Sequence, residues 1–215
     1  MTVDTKPSIW DIGEHVAAVG DTGTGKTYLM SKLVRMRNYV TILRTKPDDI
    51  TFPGFRKAKH ASAMESVMYD RILLEPRYEH QAREGYEMLE KAWIHGNWTI
   101  VIDELWYAER LGLKPYIERL LTQGRSKKIT VIVGMQRPAM ISRFAIASCT
   151  HLFSFRLETR DAKTIRDATT DRLLPEIDSL RGKDFAYYNR RDRLVTTGNA
   201  RRLSDTIVTR KSIAN

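Results

Sequence analysis

The residues able to do chemistry fall into a few short blocks. The first is Gly20-Asp21-Thr22-Gly23-Thr24-Gly25-Lys26-Thr27. It fits the phosphate-loop pattern G-x-x-x-x-G-K-[ST], set between an apolar run and a helical pattern. Glycines let successive backbone N–H groups turn inward around an anion. A helix that begins where the loop ends adds partial positive charge. Lys26 is placed to reach the β- and γ-phosphates of a nucleotide, and the Thr27 hydroxyl to ligate Mg²⁺. ATP and Mg²⁺ are the expected ligands.

The second block is Thr99-Ile100-Val101-Ile102-Asp103-Glu104. An apolar strand delivers two carboxylates at its C-terminal end, where open α/β sheets bind ligands. Asp103 suits the Mg²⁺ shell. Glu104 suits orienting or deprotonating an attacking water. That base favours hydrolysis over phosphoryl transfer to a small acceptor. The third block ends another apolar strand: Gly134-Met135-Gln136-Arg137-Pro138. Gln136 fits a γ-phosphate sensor or a plain loop amide, and spacing leaves both open. Before that strand stands Gln123-Gly124-Arg125-Ser126-Lys127-Lys128. Lys127 and Lys128 read as a solvated helix end. Arg125, projecting from a subunit edge, could reach a neighbour's nucleotide.

These blocks need strands to hold them. His15–Gly20, Tyr39–Arg44, Arg71–Pro76, Trp98–Asp103, Ile129–Gly134 and His151–Leu157 read as strands. Helices are expected over Thr27–Arg37, Tyr78–Ile94, Lys114–Thr122, from Pro138, and over Arg160–Thr169. Short apolar strands alternating with helices imply an α/β fold: a mostly parallel sheet with helices on both faces. DFAYYN and RLVTT near the C-terminus read as a short β-hairpin. No linker divides the chain, so one domain over 1–215 is expected, with a core of about 14–190 and a basic tail of about 191–215.

Charge points the same way. The 215 residues carry 36 Lys and Arg against 26 Asp and Glu, a net of +10. Residues 1–100 contribute +1 and residues 101–215 contribute +9. Such an excess suits a polyanionic partner. Candidate contacts are Arg44, Lys46, Arg56, Lys57 and Lys59, then Trp106, Tyr107, Arg110 and Lys114, then the basic tail; each also reads as a solvated face. Cys149 is the only cysteine, so no intrachain disulfide forms. The five His are scattered, without zinc-ligand spacing. No apolar run is long enough to span a bilayer, and the first residues lack an apolar signal core.

The ordered set GDTGTGKT, WTIVIDE and GRSKKITVIVGMQRP resembles the FtsK–HerA superfamily of DNA-pumping P-loop ATPases. FRLETRDAKTIRDATTD and LRGKDFAYYN extend the resemblance over roughly residues 14–190. The resemblance implies a RecA-like ASCE core. It matches Lys26 and Thr27 to the Walker A pair, Asp103 and Glu104 to Walker B, Gln136 to the sensor, and Arg125 to an arginine acting in trans. Arg137 and Arg143 compete for that last role. A bare core of this size is similar to viral genome-packaging ATPases. The implied activity is ATP-driven translocation of double-stranded DNA by a pentameric or hexameric homo-oligomeric ring. The implied setting is the host-cell cytoplasm, transiently at the portal or capsid vertex of a procapsid. A filamentous-phage assembly ATPase, a plasmid-transfer ATPase, a small-molecule kinase and a non-catalytic nucleotide switch are the rival readings.

Overall fold

The computed structural model describes residues 11–46, 52–64, 71–141 and 143–202. Among the described residues nine strands form one sheet: β1 (Val16–Val19), β2 (Val40–Leu43), β3 (Arg56–Ala58), β4 (Arg71–Leu74), β5 (Thr99–Ile102), β6 (Thr130–Met135), β7 (His151–Ser154), β8 (Asp184–Asn189) and β9 (Leu194–Asn199). Their order is β3-β4-β2-β5-β6-β1-β7-β8-β9. The first seven strands pair in parallel, and β7–β8–β9 closes the sheet antiparallel. This is the expected mostly parallel α/β sheet.

Every residue of β1, β2, β5, β6 and β7 is buried. Burial on both faces is why these strands read as unbroken apolar runs rather than as alternations. Alternate side chains nevertheless part to opposite faces. Ala17, Val19, Ile100, Ile102, Val131 and Val133 join one core, while Val16, Ala18, Val101 and Ile132 join the other.

Helices α1 (Lys26–Leu33), α2 (Gln81–His95), α3 (Leu105–Ala108), α4 (Lys114–Gln123), α5 (Arg143–Ser148), α6 (Thr159–Ala168) and α7 (Leu173–Ser179) cover these faces. Among the described residues, α1 is the one α-helix with side chains in the second core, Leu29, Met30 and Leu33, joined by Val34 of the 3-10 turn that follows it. A wide turn, Glu109–Leu113, joins α3 to α4, with Gly112 at φ 81°. Sequence periodicity misses α3 and α7. Helix α3 is one turn long, and α7 carries Pro175 in its first turn, where the absent N–H costs nothing. Pro138 opens only a 3-10 turn to Met140, with α5 following from Arg143.

The hairpin carries the sheet to Asn199, past the core limit near 190 expected from the motifs. Two cations at the border of the expected basic tail are structural. Arg190 donates to the carbonyls of Cys149 (3.2 Å), Ile146 (3.4 Å) and Ala168 (3.0 Å). It thereby ties the end of β8 to two helix ends. Arg190→Ala is expected to destabilise the chain by about 2 kcal/mol, as loss of a charged donor to buried carbonyls does. Thermal melting checks this, and an unchanged midpoint would make the contact decorative. Arg191 pairs with Glu14, and Glu14 also binds His151 Nε2 at 2.8 Å. Residues 203–215 of that tail lie outside the described residues.

Candidate nucleotide site

The phosphate loop follows β1, in mid-sheet between β6 and β7. Helix α1 begins at Lys26, after Gly25 at φ 117°, a backbone conformation that side chains with a Cβ rarely adopt. The loop is pinned at both ends of its first turn: Gly20 N donates to Met135 O at 3.0 Å, and Asp21 N to Arg156 O at 3.3 Å. Phe155 packs beneath it. A Cβ on Gly20 would stand 2.6 Å from Phe155 Cβ, so Gly20 owes its identity to that close approach.

Lys26 is buried, and its Nζ donates to Gly20 O at 2.7 Å and Asp21 O at 2.9 Å. Burial lowers its pKa, against the opposing pull of Glu104, Asp103 and Asp21. An ammonium resting on loop carbonyls inside a carboxylate-rich site is ready to exchange them for phosphate oxygens.

Thr27 Oγ1 donates to Asp103 Oδ1 at 3.1 Å. The pair therefore meets across an intervening strand, since β6 lies between β5 and β1. Ile102 pairs with Val133, and the next position of β6 is Gly134. A Cβ on Gly134 would lie 2.1 Å from the Asp103 carbonyl oxygen. Only glycine lets the end of β5 close over β6, which brings Asp103 to Thr27. The motifs pass over Gly134, because its requirement exists only once the register is known. One hydroxyl and one carboxylate are the hard oxygen donors that Mg²⁺ takes, with substrate phosphates and water filling the shell. Among the described residues no cluster of three or more His, Cys, Asp or Glu forms a metal cage of its own.

Glu104 is 5% exposed, and its Oε2 has no hydrogen-bond partner. Burial raises its pKa; the charges of Lys46 and Lys26 and the Gln136 backbone N–H pull the other way. A desolvated carboxylate with one open oxygen is a stronger base than one in water. Lys46, exposed just beyond β2, is legible in the sequence only as part of a basic stretch. Gln136 joins the site through its side chain too, with Thr22 Oγ1 donating to its Oε1 at 3.4 Å.

Arg125 does not join them. It lies in the 3-10 turn Gly124–Lys127, ahead of β6, whereas Gln136 follows β6. The six-residue strand separates them by roughly 20 Å. Its side chain packs near Gly13, before β1. Arg137 stands at the site end instead, 3.7 Å from Glu158.

Several expected polyanion contacts are occupied within the chain. Arg44 is buried, pairs with Glu75 at 3.0 Å and stacks on Phe52. Tyr107 donates to Gln81 Oε1 at 3.0 Å, and Arg110 stacks on Trp106. Cys149 is buried, and burial pushes its thiol up to about 12, so it takes no part in chemistry at neutral pH. No helix among the described residues is long and apolar enough to cross a membrane.

No family model matches the chain. It is similar to the DNA packaging ATPase P9 of Enterobacteria phage PRD1: 28% identical over 160 residues, covering 71% of this chain and 69% of that protein. Its fold is similar to the genome packaging NTPase B204 of Sulfolobus turreted icosahedral virus 2, solved with ATP-gammaS. The TM-score is 0.72 at 15% identity, over 88% of this chain and 98% of that one. The bacterial conjugative coupling protein TrwB, solved with sulphate, matches at a TM-score of 0.57 and 13% identity, over 88% and 86%.

Proposed function

We propose that this chain, a P-loop ATPase of FtsK–HerA type and most like viral genome-packaging ATPases, hydrolyses ATP to drive double-stranded DNA into a capsid. The observation that carries the reading is Glu104. A buried carboxylate with an open oxygen stands beside the Thr27–Asp103 pair and the Lys26 ammonium. That arrangement suits water activation against a nucleotide γ-phosphate.

In this reading Gly20 to Thr27 hold the phosphates, and Lys26 neutralises charge that develops on them. Thr27 and Asp103 hold Mg²⁺, which supplies Lewis-acid neutralisation when bound. Glu104 takes the proton of the attacking water. Gln136 is the γ-phosphate sensor; its backbone N–H bears on Glu104 and its amide on Thr22, so one residue touches both base and loop.

Arg125 can serve only a neighbour, because its own nucleotide is a strand-length away. A ring of five or six copies would supply that neighbour. The remaining exposed cations of the second half suit the DNA phosphate backbone, which is read without regard to sequence and in a salt-sensitive way. The working location is the host cytoplasm, at the portal or capsid vertex.

Turnover measured against protein concentration, with and without duplex DNA, tests the scheme. A ring motor gives turnover per subunit that rises with concentration and is stimulated by DNA. Arg125→Ala should lose about 10³-fold in rate, the scale of an arginine finger. Mixing Arg125→Ala with Glu104→Gln subunits should restore part of it, because some interfaces then pair an intact base with an intact finger. Restoration by Arg137→Ala mixtures and not by Arg125→Ala would transfer the role to Arg137. Concentration-independent turnover that ignores DNA would favour a small-molecule kinase.

A further inference from the structure

Lys26 is not the only ammonium resting on a carbonyl of the phosphate loop. Lys183, 160 positions away in sequence, donates from Nζ to Gly23 O. Its stem lies along the loop: a Cβ on Gly25 would stand 3.0 Å from Lys183 Cδ. Two cations thus hold the loop at different carbonyls, each on neutral acceptors. Lys26 comes from within the motif, and Lys183 from the turn between α7 and β8.

That turn is built to present the side chain. Asp184 N donates to Arg181 O at 2.9 Å, closing the turn around Gly182 at φ 55°. Asn199 Nδ2 donates to Asp184 Oδ1 at 2.6 Å, and Ala200 N to Lys183 O at 3.0 Å. The backbone of Lys183 is therefore clamped by the end of β9, while its half-buried side chain reaches the loop. The nearby Asp184 carboxylate is engaged by Asn199, and the ammonium rests on a carbonyl. A lone neutral acceptor is a weak partner for a full positive charge, and an anion would displace it.

We infer that Lys183 is a second nucleotide-contacting cation, whose ammonium leaves Gly23 O for phosphate oxygens of a bound nucleoside di- or triphosphate. The inference rests on the ATP-binding reading of the loop. It assigns the α7–β8 turn as a wall of the nucleotide site, and it makes the end of the β8–β9 hairpin part of the same unit. Ala200 N holds the Lys183 carbonyl, and the exposed Arg201 and Arg202 follow directly in the chain.

The sign of a substitution separates this from a structural strut. If Lys183 only braces the empty loop, its removal frees the loop and nucleotide binds as well or better. If it contacts nucleotide, removal weakens binding. Lys183→Gln keeps a donor for Gly23 without the charge, and Lys183→Arg keeps both. Binding of a fluorescent ATP analogue and of its ADP counterpart is measured by titration at two salt concentrations, with thermal melting as the folding control. Lys183→Gln is expected to bind both about ten-fold more weakly, the loss of one charge-assisted hydrogen bond. Lys183→Arg should recover most of it, and the salt dependence should be shallower in Lys183→Gln. Wild-type affinity in a folded Lys183→Gln protein would overturn the inference. If Lys183→Gln does not fold, Lys183→Ala takes its place in the same titration: weaker binding of both analogues supports the contact, and wild-type affinity overturns it. A wild-type protein that binds neither analogue would instead overturn the ATP-binding reading beneath it.

Discussion

Glu104→Gln is expected to lower ATP turnover by about 10²–10⁴-fold, the usual contribution of a positioned general base, while nucleotide binding persists. Glutamine has the shape of glutamate and no basic oxygen. It enters a position that is 5% exposed, with one oxygen unpartnered. Stability should move the other way from activity. Burial raises the Glu104 pKa on folding, so the carboxyl favours the folded state when protonated. That advantage is full below the ordinary carboxylate range and is lost as pH rises through the raised value. At neutral pH the ionised group is therefore a cost, and the neutral amide should melt at least as high as wild type. Wild-type turnover should fall as pH drops through the same raised pKa, because the base must be ionised to work. Turnover of the variant within a few-fold of wild type would remove Glu104 from the chemistry. A lowered melting point would show that its carboxylate is a structural partner.

Gly134→Ala is expected to damage both stability and catalysis. Its added Cβ would fall 2.1 Å from the Asp103 carbonyl oxygen, a backbone atom of the neighbouring strand. No rotamer relieves that clash, so β5 and β6 must separate locally. Overpacking of this kind costs about 3 kcal/mol, or a melting point lowered by about 6–12 °C in a chain of this size. The same displacement carries Asp103 from Thr27 and Glu104 from Gln136. Misplacement on the scale of an ångström costs about 100-fold in rate. Turnover should fall further than analogue binding, because the phosphate loop belongs to β1. A variant with wild-type melting and wild-type turnover would mean that the strands tolerate the spacing and that glycine is incidental there.

The two residues show where sequence reading stops. Glycines 20, 23 and 25 are legible because their neighbours in the chain define the loop, and a local pattern carries local geometry. Gly134 acquires meaning only from a register across two strands. Lys183 acquires its meaning only from a fold that returns it to the loop. The strands themselves were plain, since burial on both faces writes itself as apolar runs. Helix α3 is hidden by its brevity, and its Trp106 and Tyr107, candidate polyanion contacts in the sequence, are held by Arg110 and Gln81. Charge was the least legible of all. The excess in the second half counted Arg190 and Arg191 as available to a polyanion. The fold uses the first to staple helix ends and the second to hold Glu14. A net charge does not distinguish a cation facing solvent from one aimed at a carbonyl.

The buried thiol of Cys149 makes the molecule a quiet background for labelling. Maleimides and disulfide-forming probes attack thiolates at accessible positions. The single cysteine here is neither accessible nor ionised at neutral pH. A cysteine placed at an exposed site, such as Arg202, would be the sole reactive group without any prior removal of native ones. One dye per subunit at that position, and a second set of subunits carrying a partner dye in place of the exposed Tyr78, would turn the distance between neighbouring copies into an optical signal. Whether copies assemble, how many join, and whether nucleotide draws them closer would then be read in solution from the unaltered core.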